Sequence, residues 1–333
     1  MIANPETSPL LKATGLKQDF EVSKPLLNRL IEGQPRQFLT AVNGVDFVVK
    51  AGETFALVGE SGCGKSTIAN MVVGLYKPTS GKIYFDGIDM AAIASRNEEM
   101  KLRRRMTMIF QDPYASLNPR WRVTKIISEP IHAFGLLKGK KAILERTGDL
   151  LRKVGLSARD GDKFPHEFSG GQRQRISIAR ALASEPEFIV CDEPTSALDV
   201  SVQAQILNLM TDLQNQFNLS YLFISHDLAV VRHMADRVGV MYLGRLCETA
   251  PADDLFDDPQ HPYTRLLIDT IPDIEMSGRK RTPVKGEIPN PMDPPAGCPF
   301  HPRCPLVKNR CRTSQPVLTS IGKGRRVACH AIT

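Results

Sequence analysis

Short apolar runs alternate with helical patterns along the middle of the chain. Continuous apolar segments at Thr54–Val58, Phe188–Cys191 and Tyr221–Ile224 each have the length of a buried strand. The apolar segment from Ile68 to Leu75 contains no proline and predicts a helix. A second helix is predicted from Gly170 to Ala183. Strands that alternate with helices are typical of a parallel α/β core.

The flanking segments have other patterns. Residues 10 to 50 predict paired strands, with an irregular, proline-containing surface loop between Phe20 and Ala41. Two further short strands are predicted at Lys82–Phe85 and Thr107–Phe110. Residues 120 to 165 carry apolar residues at helical spacing and predict a helical insertion, whereas proline becomes dense from about residue 256 and the regular pattern fades.

A glycine-rich loop follows the first apolar run. Residues 59 to 66 read G-E-S-G-C-G-K-S, a complete phosphate-binding loop between a strand and a helix. Its backbone N–H groups can close around phosphates, while Lys65 supplies positive charge and the Ser66 hydroxyl suits Mg²⁺. A chance glycine-rich turn is the alternative, which the flanking strand and helix disfavour. The candidate nucleotide-binding residues here are Gly59, Glu60, Ser61, Gly62, Cys63, Gly64, Lys65, Ser66 and Thr67.

Two further segments suggest the reaction. The apolar strand from Phe188 ends in two acids, of which Asp192 can hold Mg²⁺ and Glu193 can polarise a water for attack on the γ-phosphate. Residues 169 to 172 read S-G-G-Q before a helix, and a helix N-terminus presents N–H groups to an anion. Because one nucleotide needs only one phosphate cradle, this second one is expected to act on a nucleotide held by a partner.

In this order, the segments resemble those of the ATPase subunits of ABC transporters. Ser169, Gly170, Gly171 and Gln172 are similar to the family's signature motif, with Phe168 where leucine is usual; this position only packs. The resemblance covers residues 10 to 255. It implies that two such subunits sandwich two ATP molecules, each between one phosphate loop and the opposite signature.

The same resemblance assigns four more residues. Gln111 is similar to the glutamine that links Mg²⁺ to the membrane subunits, and Asp199 lies in a loop similar to the one that crosses the dimer interface. His226 resembles the switch histidine on the γ-phosphate. Phe20 occupies the place of the aromatic residue that stacks on adenine, and a strand core residue is the alternative for that position.

The resemblance also implies the architecture. It is an α/β, ABC-type P-loop NTPase core with a parallel sheet, an antiparallel β subdomain and a helical insertion, followed by a small Pro/Cys-rich C-terminal region. The expected domains are an ATPase domain at 1–255, with its helical subdomain at about 112–180, and a C-terminal region at 256–333.

Two motifs resemble those of the dipeptide/oligopeptide permease group, namely Q-D-P-Y-A-S-L-N-P-R from Gln111 and H-P-Y-T from His261. The insert between Phe20 and Ala41 resembles the second of the two unlike ATPases in these systems. The implied protein hydrolyses ATP at the cytoplasmic face of the inner membrane, as a peripheral subunit. Its implied partners are a paralogous ATPase subunit, two transmembrane permeases and, through them, an extracytoplasmic peptide-binding protein. A nickel or glutathione importer is the alternative.

Composition narrows the class of protein. The chain is 42% hydrophobic and 24% charged, has no run of 18 apolar residues, and shows no secretory signal in its first 25 residues. The net charge of +7 comes from residues 279–333, with 11 Lys and Arg against 2 Asp and Glu. Nucleic acid, anionic lipid or an anionic cofactor fits this charge, and a solvated face is the default. ABC ATPases that act on DNA or ribosomes usually have two ATPase units or a long coiled coil, which are absent here, so no nucleic-acid partner is expected.

Four of the seven cysteines crowd the C-terminal region, as Cys298, Cys304, Cys311 and Cys329 with spacing C-x5-C-x6-C-x17-C. Structural zinc sites usually contain C-x2–4-C pairs, which this spacing lacks, and four thiolates also suit a [4Fe–4S] cluster. By spacing alone zinc, a cluster and unligated thiols all remain open. The resemblance to peptide permease ATPases favours the cluster.

Overall fold

The computed structural model describes residues 8–23, 35–270 and 286–332. Within these ranges the chain divides into two compact units. The first contains the described residues up to Leu10, together with 49–54 and 92–225, and the second contains those of 11–48, 55–91 and 226–332. Residues 24–34 of the predicted loop insert and residues 279–285 of the basic segment lie outside the described ranges.

The secondary structure follows the predicted alternation. The strands are β1 Leu11–Glu21, β2 Phe38–Val49, β3 Thr54–Val58, β4 Ser80–Phe85, β5 Ile88–Asp89, β6 Met106–Ile109, β7 Phe188–Asp192, β8 Ser220–Ile224, β9 Arg237–Tyr242, β10 Arg245–Pro251, β11 Thr319–Gly322 and β12 Arg325–Val327. The α-helices are Lys65–Val72, Arg96–Arg105, Pro113–Ser116, Val123–Ala133, Lys140–Lys153, Gly170–Leu182, Val200–Phe217, Leu228–Met234, Ala252–Asp257, Pro262–Asp269 and Asn309–Thr313. None of these helices is both long and apolar enough to cross a membrane.

The first unit contains three parallel strands in the order β8-β7-β6. The register pairs Phe188 of β7 with Ser220 of β8 and with Met106 of β6. Every residue of β7 and β8 is buried, which explains why these strands appear in the sequence as continuous apolar runs. The parallel strands predicted from those runs are confirmed.

The predicted helical insertion is also confirmed. The Val123–Ala133, Lys140–Lys153 and Gly170–Leu182 helices pack on one another, and Ile127, Leu150 and Leu151 are buried between them. Leu144 is an exception, because 46% of it is exposed although it fits the helical spacing. Periodicity marks the apolar face of a helix, but the neighbouring helices decide how much of that face is covered.

The second unit contains an antiparallel sheet in the order β2-β1-β4-β5, so the strands predicted over residues 10 to 50 do pair. Its other strands lie in the order β11-β12-β10-β9-β3, with β3 and β9 parallel and β9 and β10 antiparallel. The parallel strands and the antiparallel sheet together form the mixed α/β architecture that was predicted.

Two helices differ from the expectation. The helix after the glycine-rich loop begins at Lys65 rather than Ile68, because Gly64 caps it in a left-handed conformation with φ 103°. The Val200–Phe217 helix was not predicted, although Ile206, Met210 and Leu213 repeat at helical spacing and are buried. Asp199 caps this helix, so a start signal was present as well.

The C-terminal region has more regular structure than its composition suggests. Strand β12 pairs with β10, with Glu248 opposite Val327, and the Pro262–Asp269 helix lies in the same unit. Glu248 is buried, and its carboxylate accepts the backbone N–H groups of Gln260 and His261 at 2.9 and 2.8 Å. The proposed division at residue 255 stays a prediction.

His261 makes the stability of this region sensitive to acid. Its Nδ1 accepts the backbone N–H of Tyr263 at 3.0 Å and so caps the Pro262–Asp269 helix. Burial lowers the pKa of His261 from its ordinary 6.5 to about 4. The imidazole of the unfolded chain therefore binds a proton more tightly than that of the folded chain. The contribution of neutral His261 to the free energy of unfolding is complete above about pH 6.5 and is lost as the pH falls toward 4.

We therefore expect His261→Asn, which keeps a capping acceptor but does not titrate, to reduce acid sensitivity. Between pH 7.5 and 4.5 the wild-type protein should lose about 2 kcal/mol more unfolding free energy than the variant. Urea unfolding at both pH values measures the difference. Equal losses in the two proteins would contradict the assignment.

Candidate functional site

The glycine-rich loop has a backbone that only glycine tolerates at two positions. Gly59 has φ 151°, and a Cβ there would lie 2.3 Å from the carbonyl oxygen of Met241. Gly64 has φ 103°, and its Cβ would lie 2.3 Å from the carbonyl oxygen of Ala41. The close approach of neighbouring backbone therefore fixes the curve of the loop before any ligand is considered.

Lys65 is held at the inner side of this loop. Its side chain is buried, and Nζ donates to the carbonyl oxygens of Gly59 at 2.7 Å and Glu60 at 3.1 Å. Cys63 is buried too, whereas Ser66 is exposed at the start of the helix. The loop thus combines one ammonium group, an exposed hydroxyl and a helix N-terminus, which is the chemistry that binds phosphate.

Phe20 lies at the end of β1 and is half-buried. Its ring meets that of Tyr76 edge to face, with 5.7 Å between centroids and an interplanar angle of 77°. Tyr76, which is 43% exposed, was not predicted from the sequence. The only signal for it was an aromatic residue just after the phosphate-loop helix. The assignment of Phe20 to adenine stays a prediction.

Two predicted residues of the first unit are brought together. Gln111 Nε2 donates to Glu193 Oε2 at 3.0 Å. Glu193 follows the buried Asp192 and has φ 46°, a conformation that is uncommon for a residue with a side chain. Its N–H donates to the carbonyl oxygen of Ile224 at 3.0 Å, and Ser196 Oγ donates to its carbonyl oxygen at 3.1 Å. These contacts hold the Glu193 backbone in its strained conformation.

The S-G-G-Q segment forms a capping box at the start of the Gly170–Leu182 helix. Ser169 Oγ accepts the N–H of Gln172 at 3.4 Å, and Gln172 Oε1 accepts the N–H of Ser169 at 3.0 Å. Phe168 is buried, consistent with a packing role. Side chains of this segment therefore satisfy N–H groups of their own helix in this structure, which is a structural role in addition to the predicted anion contact.

Asp199 has a similar structural role. Its Oδ1 accepts the N–H of Val202 at 2.9 Å and the hydroxyl of Ser201 at 2.7 Å. The hydrogen bond from Ser201, followed by that from Val202, lowers the pKa of Asp199. Next to it, Val200 is 86% exposed. The structure alone shows that this apolar side chain is exposed beside a predicted interface residue.

The predicted site residues belong to two different units. The phosphate loop, Phe20 and His226 belong to the second unit, and Gln111, Asp192, Glu193, the S-G-G-Q segment and Asp199 belong to the first. His226 is exposed two residues after the end of β8.

Comparisons with known proteins agree with these features. Residues 42–196 match the ABC transporter family, and residues 247–311 match the C-terminal region of oligopeptide/dipeptide transporters. The chain is 47% identical to the oligopeptide transport ATP-binding protein AppF of Bacillus subtilis (strain 168), over 98% of each chain. The chain belongs to the ABC transporter family of ATP-binding proteins.

Two further similarities extend the comparison. This ABC ATPase is 47% identical to the di/tripeptide transport ATP-binding protein DppF of Pseudomonas aeruginosa (strain UCBPP-PA14), over 96% of this chain and 97% of that protein. A solved dimer of the ATP-binding cassette MJ0796 bound to ADP and Pi is 27% identical, with TM-score 0.62, over 73% of this chain and 98% of that one.

The ligand set predicted for the C-terminal cysteines of the ABC ATPase stays a prediction. In the residues that the structure describes, no three His, Cys, Asp or Glu side chains are placed to hold a metal ion. Cys298, Cys311 and Cys329 are buried and Cys304 is half-buried. Burial raises the pKa of Cys298 to about 11 and also raises the pKa values of Cys304 and Cys329.

The sequence reasoning also missed the partners of Glu60. Its carboxylate pairs with Arg303, and its backbone N–H donates to the hydroxyl of Tyr263 at 3.0 Å. The sequence does show an acid, Glu60, within the phosphate-binding loop, and a nearby cation would offset its repulsion of phosphate. The position of that cation along the chain was not readable from the pattern.

The two glycines at the start of the Gly170–Leu182 helix differ in the space around them, and this difference allows a prediction about stability. A Cβ on Gly171 would lie 2.3 Å from Cγ1 of Val202, whereas one on Gly170 would make an ordinary 3.4 Å contact with Leu198. We expect Gly171→Ala to reduce stability by about 1–3 kcal/mol through overpacking. The matched Gly170→Ala control should be neutral or stabilising by about 0.5–1 kcal/mol, because alanine favours helix.

Thermal or urea unfolding of the two variants checks this prediction. Adding Val202→Ala to Gly171→Ala should recover most of the loss, since it removes the clashing methyl group. A Gly171→Ala protein as stable as the Gly170→Ala protein would show that the two helices separate easily at this point.

Proposed function

We propose that this ABC ATPase is the ATP-hydrolysing subunit of an importer of dipeptides or oligopeptides. The hydrogen bond between Gln111 and Glu193 carries the catalytic part of the proposal. It puts the amide of one predicted motif on the carboxylate of another, directly after the buried Asp192. A polarising carboxylate beside an orienting amide is an arrangement that suits the positioning of an attacking water.

Each residue has a proposed chemical role. The loop N–H groups and Lys65 bind the phosphates of ATP, and Glu193 takes up the proton of the attacking water. His226 contacts the γ-phosphate, and Phe20 stacks on adenine. Hard oxygen donors suit Mg²⁺, and the Ser66 hydroxyl, the Gln111 amide oxygen and the Asp192 carboxylate are of that kind. When bound, Mg²⁺ would neutralise charge that develops on the phosphates.

We further propose that two ATPase subunits share each nucleotide. The Ser169–Gln172 segment faces the ATP of a paralogous subunit, and Asp199 lies in the contact between the subunits. Support comes from the exposure of Val200, which would be covered in such a dimer, and from the dimeric cassette solved with ADP and Pi. The side chains of Ser169 and Gln172 accept backbone N–H groups at this helix N-terminus, and these contacts order its backbone for an anion.

The membrane partners follow from the family. We propose that the subunit binds two transmembrane permeases at the cytoplasmic face of the inner membrane, with Gln111 beside the segment that meets them. An extracytoplasmic binding protein delivers the peptide to the permeases. Peptide cargo is supported by the match of residues 247–311 and by the names of the relatives AppF and DppF.

Transport by the assembled complex tests the proposal. In proteoliposomes that contain the permeases, both ATPases and the binding protein, ATP should drive uptake of a labelled dipeptide or oligopeptide. Glu193→Gln should keep ATP binding but reduce hydrolysis and uptake by about 10² to 10³, because an amide takes up no proton. Lys65→Ala should instead weaken ATP binding. The matched control is Glu145→Gln, the same substitution at an exposed helical position.

Two results would overturn the proposal in different ways. Near-normal hydrolysis by the Glu193→Gln complex would contradict the assignment of Glu193 as the base. If the wild-type complex hydrolyses ATP but takes up no peptide, and no peptide stimulates the hydrolysis, the assignment of peptides as the transported substrate is wrong.

The metal content of the C-terminal region stays a separate prediction. Four thiolates suit a [4Fe–4S] cluster, which the resemblance to peptide permease ATPases favours, and zinc and unligated thiols are the alternatives. Protein purified without oxygen should be brown with about four irons per chain if the cluster forms, and colourless with about one zinc in the other case. Cys304→Ser should remove the metal. Four reactive thiols without metal would reject both assignments.

A further inference from the structure

The phosphate-binding loop contains an acid whose charge opposes its ligand. Glu60 follows the first glycine, and a carboxylate beside a polyphosphate is repelled by it. In this structure the carboxylate is bound by Arg303, which lies 243 positions further along the chain. Nη1 donates to Oε2 at 2.7 Å and Nη2 donates to Oε1 at 2.8 Å. The pair is therefore bidentate, the geometry in which a guanidinium binds a carboxylate most strongly.

The Arg303 side chain is buried and is held by several contacts. Its side chain is only 3% exposed, and that of Glu60 is 24% exposed. The guanidinium lies 5.7 Å from the ring centroid of Tyr242 and 5.9 Å from that of Phe300, and Nη1 also donates to the Tyr242 hydroxyl at 3.3 Å. The hydrogen bonds to Glu60 raise the pKa of Arg303 above its ordinary value, so its charge is permanent.

A second contact reaches the same loop residue. The backbone N–H of Glu60 donates to the hydroxyl of Tyr263 at 3.0 Å. Tyr263 is 1% exposed, and its ring lies 4.7 Å from Tyr242 and 5.3 Å from Phe300 between centroids. Aromatic rings packed this closely hold one another in fixed positions. Both the side chain and the backbone of Glu60 are thus anchored by one cluster, which consists of Tyr242, Tyr263, Phe300 and Arg303.

We propose that Arg303 is a positioning residue for the phosphate loop. It neutralises the Glu60 carboxylate and holds it away from the phosphates, so the C-terminal region sets the affinity of this subunit for ATP. The inference rests on the proposed function in one respect, namely that residues 59–67 bind ATP.

The link from Arg303 to the ligand passes through Lys65. Lys65 Nζ donates to the carbonyl oxygen of Glu60, so a shift of the Glu60 backbone moves a partner of the ammonium group that binds phosphate. If Arg303 is removed, the loop gains an unpaired, partly buried carboxylate next to an anion site. Both effects weaken ATP binding, whereas Gln111 and Glu193 in the other unit keep their contact.

The test is a double-mutant cycle on the full chain in the assembled complex. Arg303→Met should raise the KM for ATP and the dissociation constant of a fluorescent ATP analogue about tenfold, because hydrogen bonds between charged groups have about this effect. The kcat should stay within about twofold. Glu60→Gln added to Arg303→Met should recover at least half of the loss on a logarithmic scale, since it removes the unpaired charge.

Arg325→Met is the matched control. Arg325 is another largely buried arginine of the C-terminal region, and it pairs with Asp258 at 3.1 Å rather than with the loop. Its replacement removes an ion pair of the same region but should leave the KM for ATP unchanged. A purely structural role of Arg303 would predict equal effects of the two substitutions and no recovery by Glu60→Gln.

A conservative variant keeps the test decisive if Arg303→Met fails to fold. Arg303→Lys keeps the charge but loses the bidentate geometry, so the KM should rise about threefold while the unfolding midpoint changes little. An unchanged KM in Arg303→Lys, or a double variant as weak as Arg303→Met, would overturn the inference. If the wild-type complex itself bound no ATP, the proposed function would fail instead, and the two failures are therefore distinguishable.

Discussion

Strands β3, β7 and β8 are buried along their whole length, and the polar residues of the predicted site lie at or just after the ends of these strands. The phosphate loop begins directly after β3, Asp192 is the last residue of β7, and His226 comes two residues after β8. Burial on both faces is the constraint behind this arrangement, because a charged side chain in the middle of such a strand loses its water, which is costly unless it gains a partner. The chemistry of the protein is therefore concentrated in the turns that follow apolar runs.

Close backbone approach adds a second constraint to the turn after β3. Gly59 and Gly64 leave no room for a Cβ, and Gly244 donates its N–H to the carbonyl oxygen of Cys63 at 3.0 Å. The loop is thus shaped by its neighbours in the second unit. Arg303 and Tyr263 complete this environment from the C-terminal region. The distinctive H-P-Y-T motif consequently has a physical role, since His261 caps the helix that carries Tyr263.

Much of the fold was readable from local pattern. Apolar runs located β3, β7 and β8, and helical spacing located the insertion at 120–165. The phosphate loop, the acids after β7 and the S-G-G-Q segment were found because each needs particular residue types at fixed short spacing. The start of the Lys65–Val72 helix was misplaced since the left-handed conformation of Gly64 ends the loop abruptly. The Val200–Phe217 helix was missed although its cap and its apolar repeat were both present.

The sequence by itself determined most of the elements and the motifs predicted to be catalytic, because these depend on interactions between residues close in the chain. Only the tertiary structure decided which distant groups meet. Arg303 and Glu60 are 243 positions apart, and no periodicity relates them. The burial of Cys298, Cys311 and Cys329 is another such case, because spacing between cysteines does not specify how deeply each is buried. Burial and charge pairing across the chain depend on packing, and packing is fixed only once all the elements are in place.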